Sequence, residues 1–97
     1  ITDHHHIPED VPKAFGIIHP GYDDKYPFKF LAGGGVAFKL AQGILKDEKG
    51  KGLEKWLLDF VAISTVADMV PLLGENRTLV KYGLIVLNKT KKMVLLK

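Results

Sequence analysis

Apolar positions along this chain fall into three blocks with a helical period, separated by stretches in which glycine, proline and charge interrupt them. From Ala37 the apolar residues Ala37, Leu40, Ala41, Ile44 and Leu45 recur at three-and-four spacing. That spacing predicts a helix entered through Gly33-Gly34-Gly35 and left at the lysine- and glycine-rich tract Lys46 to Gly52, a solvated turn. A second helix is predicted with Leu53, Trp56, Leu57, Phe60, Val61 and Ser64 on one face, its apolar character running through "AISTVADMV" until Pro71 forbids the ladder. A third carries Glu75 in its first turn, where a negative charge favours the exposed amides, and Leu79, Val80, Gly83, Leu84, Val86 and Leu87 as its apolar set.

The first third of the chain has a different texture. Ile1 and Thr2 read as the end of a strand, and Asp3 to Pro12, with its two prolines, as a loop leaving it. "AFGIIHP" suits a brief strand through Ile17 and Ile18, closed by Pro20 and Gly21. "GYDDKYPFKF" follows as a polar loop carrying aromatics.

Ninety-seven residues, 46% hydrophobic and 26% charged, suit one small globular unit or a piece of a larger one. The chain opens without methionine inside a predicted strand and ends inside an apolar segment, so it is expected to be a fragment. Its 14 basic and 11 acidic residues give a net charge of +3, a mild bias toward polyanions. The absence of cysteine excludes disulfides and thiolate metal sites, leaving imidazole and carboxylate as metal donors. No segment approaches the roughly 18 uninterrupted apolar residues of a membrane span, and a cytoplasmic protein is expected.

Chemistry concentrates in a few places. Asp3-His4-His5-His6 sits at the edge between strand and loop. In an extended chain successive side chains alternate, so at most two of the four address one site. One imidazole there suits a metal, with Asp3 as ligand or as the group that orients a ring; a solvated loop or the remnant of a purification tag is the alternative. Asp68 stands in an apolar stretch, where a carboxylate needs a partner, a cation or solvent. Ser64 and Thr65 are open to packing or backbone-bonding roles. The amides of Gly33 to Gly35 are open to receiving a phosphate or to close packing. Tyr22, Tyr26, Phe28 and Phe30, interleaved with Lys25 and Lys29, offer either a stacking surface or a core edge, and Lys89, Lys91 and Lys92 read as a wetted face.

Taken together, "TDHH", "YPFKFLAGGGVAFKLAQ" and "LLDFVAISTVADMVPLLGENRTLVKYGL" resemble the DHH phosphoesterase superfamily, and within it the single-stranded-DNA exonucleases. The similarity runs from Ile1 to about Leu87 in order, with "ADMVPLLGENR" its most specific part. It implies an α/β fold with residues 1–97 as the C-terminal part of a parallel-sheet domain, mostly helical here. The segment would run from the third of four motifs to the region after the fourth, with the earlier acidic motifs and the downstream domains absent.

By the same resemblance, the activity is 5′-to-3′ hydrolysis of single-stranded DNA in recombination and repair, with two divalent manganese or magnesium ions. His4 is then a metal-ligating imidazole, Asp3 a ligating or supporting catalytic carboxylate, and His5 the catalytic group contacting the scissile phosphate. Asp68 is the last metal carboxylate, Gly33 and Gly35 line the substrate cleft, and His6 has no assigned role. The isolated 97 residues are expected to bind metal weakly and to hydrolyse nothing. The resemblance also leaves two alternatives: a catalytically inactive nucleic-acid-binding scaffold, and a phosphodiesterase for short oligonucleotides or cyclic dinucleotides.

Overall fold

The computed structural model describes residues 1–22, 24–47 and 49–96. Asp23 and Glu48, which fall in the two predicted loops, lie outside the described residues, as does Lys97. Among the described residues, four α-helices account for most of the regular structure: α1 (Gly33–Ile44), α2 (Leu58–Ala67), α3 (Gly74–Asn88) and the short α4 (Met93–Leu96). A 3₁₀ turn, Leu53–Leu57, leads directly into α2. α2 packs against α1 on one side and most extensively against α3 on the other.

The two predicted strands shrink to one isolated parallel bridge, Thr2 with Ile18. Its bonds run from the Ile18 N–H to the Ile1 carbonyl (2.8 Å) and from the Asp3 N–H to the Ile18 carbonyl (3.2 Å). Pro20 has no N–H to donate to a further rung, so the ladder stops there. Among the described residues no named strand forms, and no helix is long and apolar enough to cross a membrane.

The helix positions agree with the periodicity, but the buried faces of α1 and α2 do not. In α1, the glycines form the first turn itself rather than preceding it. Leu40 and Ile44 of the expected stripe are 39% and 67% exposed, and Ala37 is exposed too. The core is instead drawn from Leu31, Val36, Phe38, Val61 and Leu79, with Tyr26, Phe28, Leu57 and Leu58 packed against it. Because α1 is apolar around most of its circumference, period alone does not choose its face. Steric access does. An added Cβ at Gly34 would lie 2.6 Å from the Ser64 Cβ, so this is where α1 approaches α2.

The second helix departs from expectation for another reason. Leu53, Trp56 and Phe60 are exposed, whereas Asp59, Val61, Ala62 and Thr65 are buried. The 3₁₀ turn advances three residues per turn rather than 3.6, so a stripe drawn across Leu53 to Ser64 loses phase at Leu57. Buried Thr65 satisfies its hydroxyl by donating to the Val61 carbonyl (2.6 Å). In α3, Leu79 and Gly83 are buried as the period predicts, while Leu84 is half exposed. Gly83 is where α2 and α3 cross: a Cβ there would sit 2.3 Å from the Leu58 carbonyl oxygen.

Asp59 has no exposed surface, and its partner comes from the C-terminal lysine run. Lys92 Nζ donates to both Asp59 carboxylate oxygens, each at 2.6 Å, and to the Trp56 carbonyl, and lies 4.6 Å from the centre of the Phe60 ring. Burial alone would raise the Asp59 carboxyl, but hydrogen bonds from Lys92, the Phe60 amide and Thr90 outweigh it and hold the group below the ordinary carboxylate range. Lys92 is therefore part of the packing, in contrast to the wetted face read from its charge run.

Candidate functional site

Once the chain leaves the Thr2–Ile18 bridge, Asp3 folds it back on itself. One carboxylate oxygen of Asp3 accepts the N–H of His4 (2.8 Å), the N–H of His5 (3.4 Å) and Nδ1–H of His5 (2.7 Å). Such local side-chain bonds are a turn-forming habit of aspartate, and the backbone bends at His5. The strict alternation of an extended chain is lost, and the rings of His4 and His5 lie with centroids 4.4 Å apart, tilted by 46°.

This arrangement gives Asp3 one partner among the imidazoles. Its hydrogen bonds from the His5 ring and from the His4 amide lower its pKa to about 2. The same contact raises the pKa of His5, with the Asp68 charge adding in the same direction. The His5 side chain is 75% exposed. Asp3 and His5 open onto a cavity of about 110 Å³ that His6, Ile7, His19 and Tyr22 also line. His6 itself is exposed.

His4 turns the other way. Its Nε2 lies 3.1 Å from Asp68 Oδ2, with side-chain exposures of 17% and 41%. The edge of its ring packs on Gly33, where an added Cβ would meet Cδ2 at 3.5 Å. Gly33 therefore lies beside the imidazole, whereas Gly35 is buried and faces Leu31. The middle glycine is committed elsewhere, since the Gly34 N–H donates to Ser64 Oγ (3.0 Å) and ties the start of α1 to α2.

Asp68 is delivered by the end of its helix. As C-cap of α2 it donates its N–H to the Ser64 carbonyl (3.0 Å). Met69 then takes a left-handed conformation, φ 53°, and is 89% exposed. Non-glycine residues rarely adopt that conformation, and turns of this kind gather at functional sites. The turn is clamped from α3, where Asn76 Nδ2 donates to the carbonyls of Phe30 (2.6 Å) and Pro71 (3.0 Å). One buried amide thereby joins the loop entering α1, beside Gly33, to the segment leaving Asp68. Its own Oδ1 is buried without a hydrogen-bond partner among the described residues.

Glu75, in the first turn of α3, makes a second clamp. It accepts the hydroxyl of Tyr26 (2.6 Å) and pairs with Lys39 of α1. Burial and the Glu75 carboxylate push the Tyr26 hydroxyl above its ordinary pKa. Tyr26 and Phe28 thus cover a core edge, while Tyr22 and Phe30 stay 45% and 57% exposed. The sequence reading missed the roles of Asn76, Lys39 and His19. For Asn76 the available signal was its place inside the most specific block of the resemblance.

An imidazole nitrogen and a carboxylate oxygen 3.1 Å apart are both donor types that divalent cations accept. Among the described residues no group of three or more His, Cys, Asp or Glu side chains gathers. His4 and Asp68 therefore offer two donors of a set that needs more.

Comparison with known proteins gives a consistent result. The chain is 46% identical over 94 residues to the single-stranded-DNA-specific exonuclease RecJ of Bacillus subtilis, covering 96% of this chain and 11% of that protein. It is 40% identical over 95 residues to the protein of that name from Escherichia coli, covering 87% of this chain and 16% of the relative. The Thermus thermophilus RecJ is 38% identical over 84 residues, 87% of this chain and 12% of that protein. The chain thus spans between a tenth and a sixth of the length of these relatives. No family model matches the chain, and no solved structure matches it.

Proposed function

From the kinship of these 97 residues with a segment of the RecJ exonucleases, we propose that they form one wall of the nuclease site of a longer protein that degrades single-stranded DNA from its 5′ end. The observation carrying this reading is the meeting of His4 Nε2 with Asp68 Oδ2 at 3.1 Å. Residues far apart in sequence, each in a block that resembles the family, converge on one point beside Gly33.

In this reading His4 and Asp68 would hold a divalent manganese or magnesium ion, with further carboxylates from a part of the protein outside the 97 residues. When bound, two such ions supply an activated water and neutralise charge on the attacking and leaving oxygens. The chain's own contribution is positional and electrostatic. His5, its ring aimed by Asp3, donates a hydrogen bond to a phosphate oxygen where negative charge accumulates. Asp3 acts as the orienting carboxylate behind His5. The exposed apolar residues Ile63 and Val66 of α2, and Met69 just beyond its end, support the larger reading, in which the rest of a parallel-sheet DHH domain packs there.

The test uses the complete protein with manganese and a 5′-labelled single strand. His4→Ala is expected to abolish cleavage while single-strand binding is largely kept. Cleavage that persists in that variant, or binding and folding lost together, would refute the role given to His4.

A further inference from the structure

We propose that His19 is a positioning residue for His5. The inference rests on the reading above in which His5 faces the phosphate. It begins with the missing rung of the ladder. Thr2 and Ile18 pair in parallel, and continuing that register requires the N–H of residue 20 to reach the Asp3 carbonyl. Residue 20 is proline, so the backbone cannot supply the bond.

The side chain of the preceding residue supplies a donor further along. His19 Nε2 lies 2.7 Å from the His5 carbonyl oxygen. The other ring nitrogen, Nδ1, accepts the Gly21 N–H at 2.9 Å. An Nδ1 that accepts an amide proton carries none, which places the ring proton on Nε2, aimed at the His5 carbonyl. The tautomer is thus set by the backbone of the same turn. The ring is also hemmed in sterically: a Cβ at Gly21 would lie 3.1 Å from its Cε1, and Tyr22 meets it edge-on with centroids 5.8 Å apart.

The consequence falls on His5. Asp3 holds the amide and ring of His5 from one side, and His19 holds its carbonyl from the other. With both peptide groups and the ring anchored, an imidazole that is largely exposed keeps one orientation. His19 touches neither Asp68 nor His4 through any described bond; its action is through the main chain of His5. Partners of this kind, one bond removed from the reacting group, typically alter activity by about 10- to 100-fold when removed.

The experiment compares wild type, His19→Ala and His19→Gln in the complete protein, measuring single-turnover cleavage, KM and thermal unfolding. Glutamine places an amide N–H close to the position of the imidazole Nε2–H, so it restores the donor without the ring. His19→Ala is expected to lower kcat about 10- to 100-fold with KM and melting temperature little changed, and His19→Gln to recover most of the loss. Equal losses in both variants, or an unaltered kcat in His19→Ala, would overturn the inference. The ¹³C resonance of the His5 carbonyl gives a readout independent of cleavage: it should move in His19→Ala and return toward its wild-type position in His19→Gln. If the wild-type protein cleaves no single strand, the nuclease reading fails, and an unmoved carbonyl resonance then separately rejects the positioning role.

Discussion

α2 carries two aspartates at its opposite ends, and they live under opposite conditions. Asp59, in the first turn, has no exposed surface and spends both oxygens on Lys92. Asp68, at the C-cap, is 41% exposed at its side chain and meets the Nε2 of His4. A carboxylate without water must be paired inside the protein, because an unpaired charge there is very costly. Such a group is fully used by the fold. A carboxylate at a helix end, with water on one side and an imidazole on the other, is only partly committed to the fold. The same residue type is structural at one end of the helix and available at the other.

The comparison breaks most visibly with Asp68→Asn. The amide keeps size and hydrogen bonding but removes the charge, so cleavage by the complete protein should fall about a thousandfold, ~4 kcal/mol of barrier, with the melting temperature almost unchanged. Lys92→Met should do the reverse. It strands the Asp59 charge and is expected to cost about 3 kcal/mol of stability in denaturant titration, while cleavage per folded molecule stays near wild type. A Lys92→Met protein that melts like wild type would show that the pair contributes nothing to the fold.

A third variant tests whether the frame between the two carboxylates is as tight as the glycine contacts imply. Gly83→Ala forces a methyl to within 2.3 Å of the Leu58 carbonyl oxygen, so α2 and α3 must separate. A loss of about 2 kcal/mol is expected, measured by denaturant midpoint at constant slope. The smallest effect belongs to pH. The folded Asp59 carboxyl is held below its ordinary range, so its stabilising contribution is complete above the unfolded carboxylate pKa, near about 4. It disappears as pH falls through the lower, folded value. Stability followed from pH 6 downward should show an acid-side decline that Asp59→Asn flattens.

Much of this was legible before any coordinates. The three main helices lie where the apolar period places them, and α2 ends before Pro71 as proline requires. The structure sets His4 3.1 Å from Asp68, a meeting of residues distant in the chain that no local pattern produces. The bond from Asp3 to His5 lay within reach of sequence reasoning, since aspartate readily accepts from residues just after it. The roles of His19 and Lys92 were not legible, because each acts on a partner far along the chain that no local pattern identifies.

Sequence by itself determined where helices start and stop, which residue types are on hand for metal and phosphate chemistry, and the kinship that links them. Those properties depend on neighbours within a few residues or on motif identity. Tertiary structure alone decided which faces of α1 and α2 are buried. It did so through close approach at Gly34 and Gly83 and through the change of phase at the 3₁₀ turn. It also decided that Asp59 is spent on Lys92 while Asp68 stays open toward His4, because the fate of a charge is set by the water and partners around it, and these come from elsewhere in the chain.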